Sequence, residues 1–350
     1  MSVKSGAIAR NGWNFRGDAP RFCHDRGGWN AALLRNHPRF FMNFPVVRIA
    51  NISILAAALT VAAPLVAQPL NPLVREGVTE KISEHVHIIP DASVAMVPNV
   101  GIIVGTRATL VVDTGMGRRN GETVMREVGK VSRHAELYLG TTHFHPEHDL
   151  GAMAFPADAK LLRSADQQKD IAEFGLQMAK QFSGRSPFVA DLLKDAEYRK
   201  ADISFEREHT VDLGGVRVRV IAMGANHTRG DTAFLVEPDG ILFSGDIVMK
   251  PQPSFASPYS TVSHWLTSLD VLEQLKPKLL VPSHGPTGNA TLISGYRAYL
   301  TTVRARAAEL KKSGKTIDEA VQAVTTELQS HYTDRGRLGG AVRAAYNEAP

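Results

Sequence analysis

Short apolar runs alternate along this chain with longer stretches whose apolar positions recur every three or four residues. Residues 85–89, 101–105 and 109–113 read as early strands with turn residues between them. The spacing of Val124, Val128 and Val131 predicts a helix over 120–131, with Asn120 as its cap. A strand follows at 136–142. Residues 164–182 read as a helix capped by Ser164, with Ile171, Phe174, Leu176 and Met178 at apolar positions; 184–187 interrupts it and 188–194 resumes it. A strand-rich block comes next, at 211–213, 216–223, 232–236 and 241–244, with Pro238-Asp239-Gly240 as a turn. Residues 263–275 read as a helix and 278–281 as a strand. From 290 to 329 the pattern is helical, broken at Gly314 and restarted at Thr316 or Asp318. This alternation predicts a layered α/β domain over 72–330. Residues 331–350 are polar and rich in Gly and Arg, and read as a peripheral, frayed tail.

The pattern also places chemistry at the ends of the runs. The strand at 136–142 leads into His143-Phe144-His145-Pro146-Glu147-His148-Asp149. Residues two apart in extended chain face the same way, so His143 and His145 can share one ion. Pro146 disfavours a helical conformation at His145, which removes a helical HExxH reading. Glu147 and His148 lie past the bend and can turn toward a second ion. A lone pair of histidines on a loop would be weak support, but the arrangement repeats. The strand at 216–223 runs, after a short link, into His227; that at 241–244 into Gly245 and Asp246; that at 278–281 into His284; that at 109–112 into Asp113. If these strands share one polarity, all five residues gather at one sheet edge, where loops are free to present side chains. Imidazoles with carboxylates suit zinc, iron or manganese.

Charge and cysteine usage narrow the reading. The formal net charge of +5 resides in the first 67 residues, which carry eight basic and two acidic residues and leave 32 and 33 to the remainder. The globular part therefore gives no case for a nucleic-acid partner. The one cysteine, Cys23, is also in this leader, so any metal site must use His, Asp and Glu. Within the leader, 52–67 is an apolar run too short for a comfortable membrane span, preceded by Arg48 and ended by a small-residue cleavage pattern. We read 42–67 as a signal peptide starting at Met42, and 1–41 as an extension ahead of the true start. Cleavage near Gln68 would give a secreted or periplasmic protein with no stable membrane contact; an uncleaved anchor is the alternative.

The ordered motifs HxHx(D/E)H, Ala225-Asn226-His227-Thr228, Ser244-Gly245-Asp246 and Pro282-Ser283-His284-Gly285, with Val111-Val112-Asp113-Thr114-Gly115 ahead of them, resemble the metallo-β-lactamase superfamily over roughly residues 80–290. The resemblance implies a four-layer αββα sandwich of the α/β class. It implies two zinc ions: His143, His145 and His227 at the first, Glu147, His148 and His284 at the second, and Asp246 between them. Asp113 would orient a ligand or its loop. Catalysis would fall to metal-activated water, with Glu147 or Asp246 orienting it and moving its proton, and with no covalent enzyme nucleophile. One departure is Glu147, where the family usually has Asp; the extra methylene bears on whether the second ion shifts, weakens or is lost. Asp246, rather than cysteine, resembles the bridging acid of glyoxalase II-like thioesterases and lactonases. The implied function is hydrolysis of a small molecule: a β-lactam, lactone, ester or thioester. The other readings are a mononuclear-iron persulfide dioxygenase using His143, His227 and Asp246, and a glyoxalase II-like thioesterase. For the substrate, Phe174, Met178, Phe182 and Phe188 form a candidate apolar wall, and Arg229, Tyr259, His264 and Trp265 are further candidates.

Overall fold

The protein was analysed as a computed structural model that describes residues 70–250, 252–332 and 334–350. The leader, Cys23 and the apolar run at 52–67 lie outside the described residues.

Two sheets form the centre. The first runs in the order β1 (Glu80–Lys81), β2 (Val86–Ile89), β3 (Val100–Val104), β4 (Ala108–Val112), β5 (Glu136–Gly140), β6 (Lys160–Ser164), β7 (Ile203–Phe205). Its first four strands are antiparallel and its last four parallel. Parallel neighbours need crossovers. These are α1 (Gly117–Val131), then α2 (Pro146–Asp149) with a 3-10 turn at Leu150–Ala154, then α3 (Ala165–Ser183) and α4 (Pro187–Leu192). The second sheet contains β8 (Glu208–Asp212), β9 (Arg217–Gly224), β10 (Asp231–Val236), β11 (Ile241–Gly245) and β12 (Leu279–Pro282), in the order β12-β11-β10-β9-β8. It is antiparallel except for β11–β12, which α5 (Val262–Gln274) connects. Three helices close the chain: α6 (Thr291–Lys312), α7 (Ile317–Leu328) and α8 (Arg335–Glu348).

The sheets pack face to face. Val86, Ile103, Leu110 and Val112 of the first meet Val218, Val220, Phe234 and Phe243 of the second in one buried cluster. Gly140 explains how closely they approach: a Cβ there would lie 2.4 Å from the Phe234 ring. The outer face of the first sheet (Ile102, Val111, Leu139, Leu161) packs on Val124 and Val128 of α1. The outer face of the second (Leu235, Leu242, Leu280) packs on Trp265 and Leu269 of α5, Leu300 of α6 and Val342 of α8. The layers are therefore helix, sheet, sheet, helix, the αββα sandwich that the motifs implied. Strand β4 is buried along its whole length because both faces are covered.

The strands that lead into the candidate residues do not share one sheet. β4 and β5 lie parallel in the first. β9 and β11 are both antiparallel to β10, and β12 is parallel to β11, so these three share a direction in the second. Both sheets follow chain order and the break falls between β7 and β8, which do not pair; local pattern does not report that break.

Two local expectations change. Asn120 lies inside α1 rather than at its cap; its side chain accepts from Val74 N and donates to the Pro72 and Met116 carbonyls, tying down the segment ahead of β1. The frayed tail over 331–350 is also corrected. Residues 335–348 form α8, whose Leu338, Ala341, Val342 and Ala345 are buried in the core. Gly and Arg mask this apolar stripe at i, i+3, i+4 and i+7. Glu348 then accepts from Val262 N, Ser263 N and Ser263 Oγ, capping α5. Leu338 is 1% exposed. Leu338→Ala should therefore cost about 2–5 kcal/mol in chemical denaturation; a loss under about 0.5 kcal/mol, the surface-like range, would return α8 to the periphery.

Candidate metal centre

The ligand-bearing loops are shaped by local chemistry. His145 is extended (φ −62°, ψ 147°) because Pro146 follows it and starts α2. This bend separates His143 and His145 from Glu147 and His148. His227 sits in the β9–β10 connection. There Asp231 accepts from His227 N at 2.6 Å, and from Thr228 N and Oγ at 3.0 and 2.5 Å. Asp246 follows Gly245, which adopts φ +59° where the β11–β12 register slips. That break turns the carboxylate out of the strand. His284 follows β12.

These seven side chains converge. Three overlapping groups have ligand-type atoms within 4.8 Å of one another: His143, His145 and His227; His143, His148 and Asp246; Glu147, His148 and His284. Asp246 faces two ways: Oδ2 is 3.4 Å from His227 Nε2, while Oδ1 is 3.9 Å from both His148 Nε2 and His284 Nε2. The longer Glu147 still reaches the cluster, with Oε1 3.9 Å from His148 Nε2. Buried atoms without a hydrogen-bond partner concentrate here: His143 Nε2, His145 Nε2, His148 Nε2, Glu147 Oε2 and Asp246 Oδ1. A buried polar atom left unpaired costs about 1–3 kcal/mol, so a site holding so many is built for a further partner. The donor set, hard carboxylates with borderline imidazoles, fits a divalent metal.

The surroundings decide which ring nitrogen carries the proton. His227 Nδ1 lies 2.6 Å from the Ser254 carbonyl and His284 Nδ1 2.9 Å from the Val97 carbonyl. A carbonyl only accepts, so both rings donate from Nδ1 and keep a lone pair on Nε2. His148 Nδ1 donates to Asp113 Oδ2 at 2.9 Å, so the neutral ring carries its lone pair on Nε2. His145 Nδ1 is 3.1 Å from His227 Nε2. Two nitrogens on one tetrahedral zinc-sized ion stand about 3.3 Å apart at bonds of about 2.0–2.1 Å, so a cation fits between them.

Burial, followed by repulsion from neighbouring imidazoles, holds His143 and His145 well below the usual histidine range. Burial also lowers His227 and His284, although Asp246 partly offsets it. The second group differs. Burial opposes charge on His148, but Asp113, Asp246 and Glu147 outweigh it and raise its pKa to about 9. Burial raises Glu147 to about 7. For Asp246, burial is outweighed by His284, His227, His148 and Arg337, and its pKa is lowered.

Asp113 ties the cluster together. It stands at φ +62°, an uncommon conformation for a non-glycine residue. Oδ1 accepts from Thr142 N at 2.7 Å; Oδ2 accepts from Thr142 Oγ, His148 Nδ1 and Ser283 Oγ. One carboxylate thus ties together two of the ligand-bearing loops, those after β5 and β12. Asp149 is used elsewhere: Arg163 grips it bidentately at 2.6 and 2.8 Å, both residues being buried. The sequence pattern did not single out Asn99, which donates to the Pro282 and Gly285 carbonyls, or Arg337, which donates to the Gln252 carbonyl. It also missed the Ser254 and Val97 carbonyls, which are backbone groups that residue type does not reveal.

Of the candidate substrate residues, Phe182 is buried with its ring 5.9 Å from that of His145, and Met178 and Phe188 pack around it. Arg229 is paired with Asp170 at 3.1 Å and Glu173 at 2.9 Å, beneath Tyr259 and Phe174. Trp265 is a core residue that donates to the Ile247 carbonyl, and His264 bonds the Met223 carbonyl.

Comparison with known proteins adds a family. The model of the metallo-beta-lactamase superfamily matches residues 94–284. A metallo-beta-lactamase from Pontibacter korlensis is similar at 21% identity and TM-score 0.50, over 63% of this chain and 96% of that one. A metallo-beta-lactamase family protein from Thermus thermophilus is similar at 17% identity and TM-score 0.54, over 75% and 93%. A stereoselective inverting sec-alkylsulfatase from Pseudomonas sp. is similar at 13% identity and TM-score 0.62, over 77% of this chain and 49% of that one, so the chain spans about half its length. At these identities the structures speak for the fold alone. A search of curated proteins finds no match.

The proton distribution sets a pH dependence for metal uptake. With pKa values raised to about 9 and about 7, His148 and Glu147 hold protons at and below neutrality that a cation must displace. Affinity at Glu147–His148–His284 should therefore rise from about pH 6 to about pH 9, with proton release. Affinity at His143–His145–His227, whose rings are already neutral, should vary far less. Competition with a chelating indicator across that range checks this; equal slopes at both sites, or no proton release, would contradict it.

Proposed function

We propose, on the premise that this chain belongs to the metallo-β-lactamase superfamily, that it is a hydrolase holding two zinc ions. His143, His145 and His227 would hold the first, Glu147, His148 and His284 the second, and Asp246 would lie between them. The observation that carries this reading is the convergence of ligand-type atoms from four separate loops, several of them buried and unpaired. Zinc, when bound, supplies Lewis acidity that makes water nucleophilic near neutral pH and stabilises developing negative charge.

The chain's own residues do the rest. Asp246 stays ionised and is placed to accept a proton from attacking water. Asp113, the Ser254 carbonyl and the Val97 carbonyl keep His148, His227 and His284 in the tautomer that offers Nε2. Phe182, buried beside His145, excludes water from one side. The substrate is a small molecule with an electrophilic carbon, in the class of β-lactams, lactones, esters and thioesters. The leader pattern supports export to the periplasm or beyond, and the near-neutral remainder of the chain argues against a nucleic-acid partner. Among the described residues no helix is long and apolar enough to cross a membrane. A single-iron dioxygenase on His143, His227 and Asp246 is the second reading; the complete Glu147–His148–His284 group speaks against it.

Elemental analysis of the metal-replete protein should return close to two zinc per chain. His227→Ala should lose metal-dependent hydrolysis of a lactone, ester and β-lactam panel by at least roughly 1,000-fold, as expected when the nucleophile-generating centre is lost. One iron per chain, or a His227→Ala variant with ordinary turnover, would overturn the proposal.

A further inference from the structure

Arg185 lies between α3 and α4 and is exposed. Its guanidinium carbon stands 4.0 Å over the Phe182 ring, and that ring lies 5.9 Å from the ring of His145. The arginine is thus one aromatic ring away from the metal-type cluster. Its Nη1 is 3.0 Å from Met96 Sδ, a weak acceptor that does not satisfy a guanidinium. Met96 belongs to the 91–97 turn, whose Val97 carbonyl orients His284. Arg185 therefore spans from the side of His145 to the side of His284.

Three buried or half-buried arginines are paired with carboxylates, whereas exposed ones such as Arg207 and Arg304 are not. Arg163 is bound to Asp149, Arg229 to Asp170 and Glu173, and Arg337 to Asp334. Arg185 has no carboxylate partner among the described residues. Stacking on Phe182 holds the guanidinium plane while leaving its edge N–H groups to donate, the arrangement that suits bidentate capture of an oxyanion. Beside it the half-buried Met96 presents an apolar surface, and the buried Phe182 ring backs the guanidinium.

We propose that Arg185 selects substrates carrying an oxyanion, carboxylate or sulfonate-like, next to an apolar segment that lies against the half-buried Met96. This rests on the hydrolase reading and narrows its substrate class to amphipathic anions. The guanidinium grips the oxyanion, and the bond to be cleaved reaches the metal-type cluster beyond Phe182.

Arg185→Met keeps an unbranched apolar stem and removes the charge; Arg185→Lys keeps the charge and loses the fork. The test substrates are a p-nitrophenyl ester with a terminal carboxylate, its sulfonate counterpart, and the carboxylate blocked as a methyl ester. In zinc-loaded protein, the preference for charged over blocked ester should fall roughly 10- to 100-fold in Arg185→Met, the loss lying in KM rather than kcat. Arg185→Lys should recover part of it. The carboxylate and sulfonate arms show which oxyanion is preferred. A calorimetric titration with 4-phenylbutanoate and its amide reads binding without turnover: the wild type should favour the acid, and Arg185→Met should lose that preference. Equal losses on charged and blocked esters, or equal binding of the acid by both proteins, overturns the proposal. If the wild type cleaves nothing in the lactone, ester and β-lactam panel, the hydrolase reading fails while the titration still decides the role of Arg185.

Discussion

The constraint on which the rest depends is the fixing of imidazole tautomers inside a buried cluster. A histidine offers a lone pair to a cation only from the nitrogen that carries no proton, and three of the five rings here are told which nitrogen that is. Backbone carbonyls do this for His227 and His284, and Asp113 does it for His148. Asp113 also accepts from Thr142 and Ser283, so the residue that sets a proton on one ligand braces the segments carrying others. Its left-handed backbone conformation is the local cost of that geometry.

The sandwich supplies the rest of the precision. Ligands come from loops after β5, β9, β11 and β12, which belong to two sheets. Their spacing across the site depends on how closely the sheets pack, and Gly140 against Phe234 shows that closeness near the start of the histidine loop. Helix α8 adds a remote brace. Arg337 holds the Gln252 carbonyl and Glu348 caps α5, so the intervening segment is gripped at both ends; the Ser254 carbonyl that orients His227 lies within it. Stability and site geometry thus share residues well outside the matched region of 94–284.

How much was legible follows from which signals are local. The histidines and acids stand at the ends of apolar runs, and Pro146 marks the bend between His145 and Glu147, so their grouping could be read along the chain. The cap Ser164 was legible for the same reason, and of the two candidates Thr316 and Asp318 the cap is Thr316; each cap accepts from a backbone N–H three residues on. The division into two sheets was not, because it lies where β7 and β8 fail to pair, which neither strand's own sequence marks. Helix α8 was hidden by its glycines and arginines. The bond from Arg163 to Asp149, 14 residues away, and the carbonyls of Ser254 and Val97 required coordinates, since neither salt-bridge partners nor backbone acceptors announce themselves by residue type. Among the substrate candidates, Phe182 lies beside His145, whereas Arg229 is taken up by Asp170 and Glu173.

Anomalous diffraction at the zinc edge, from crystals of the zinc-loaded protein, addresses the central claim most directly. The account expects two peaks about 3.5–4 Å apart, one beside His145 Nδ1 and His227 Nε2, the other beside His148 Nε2, His284 Nε2 and Glu147, with the Asp113, Ser254 and Val97 contacts intact. Absence of zinc from the cluster, or rings turned so that Nδ1 of His148, His227 or His284 faces the ions, would contradict it.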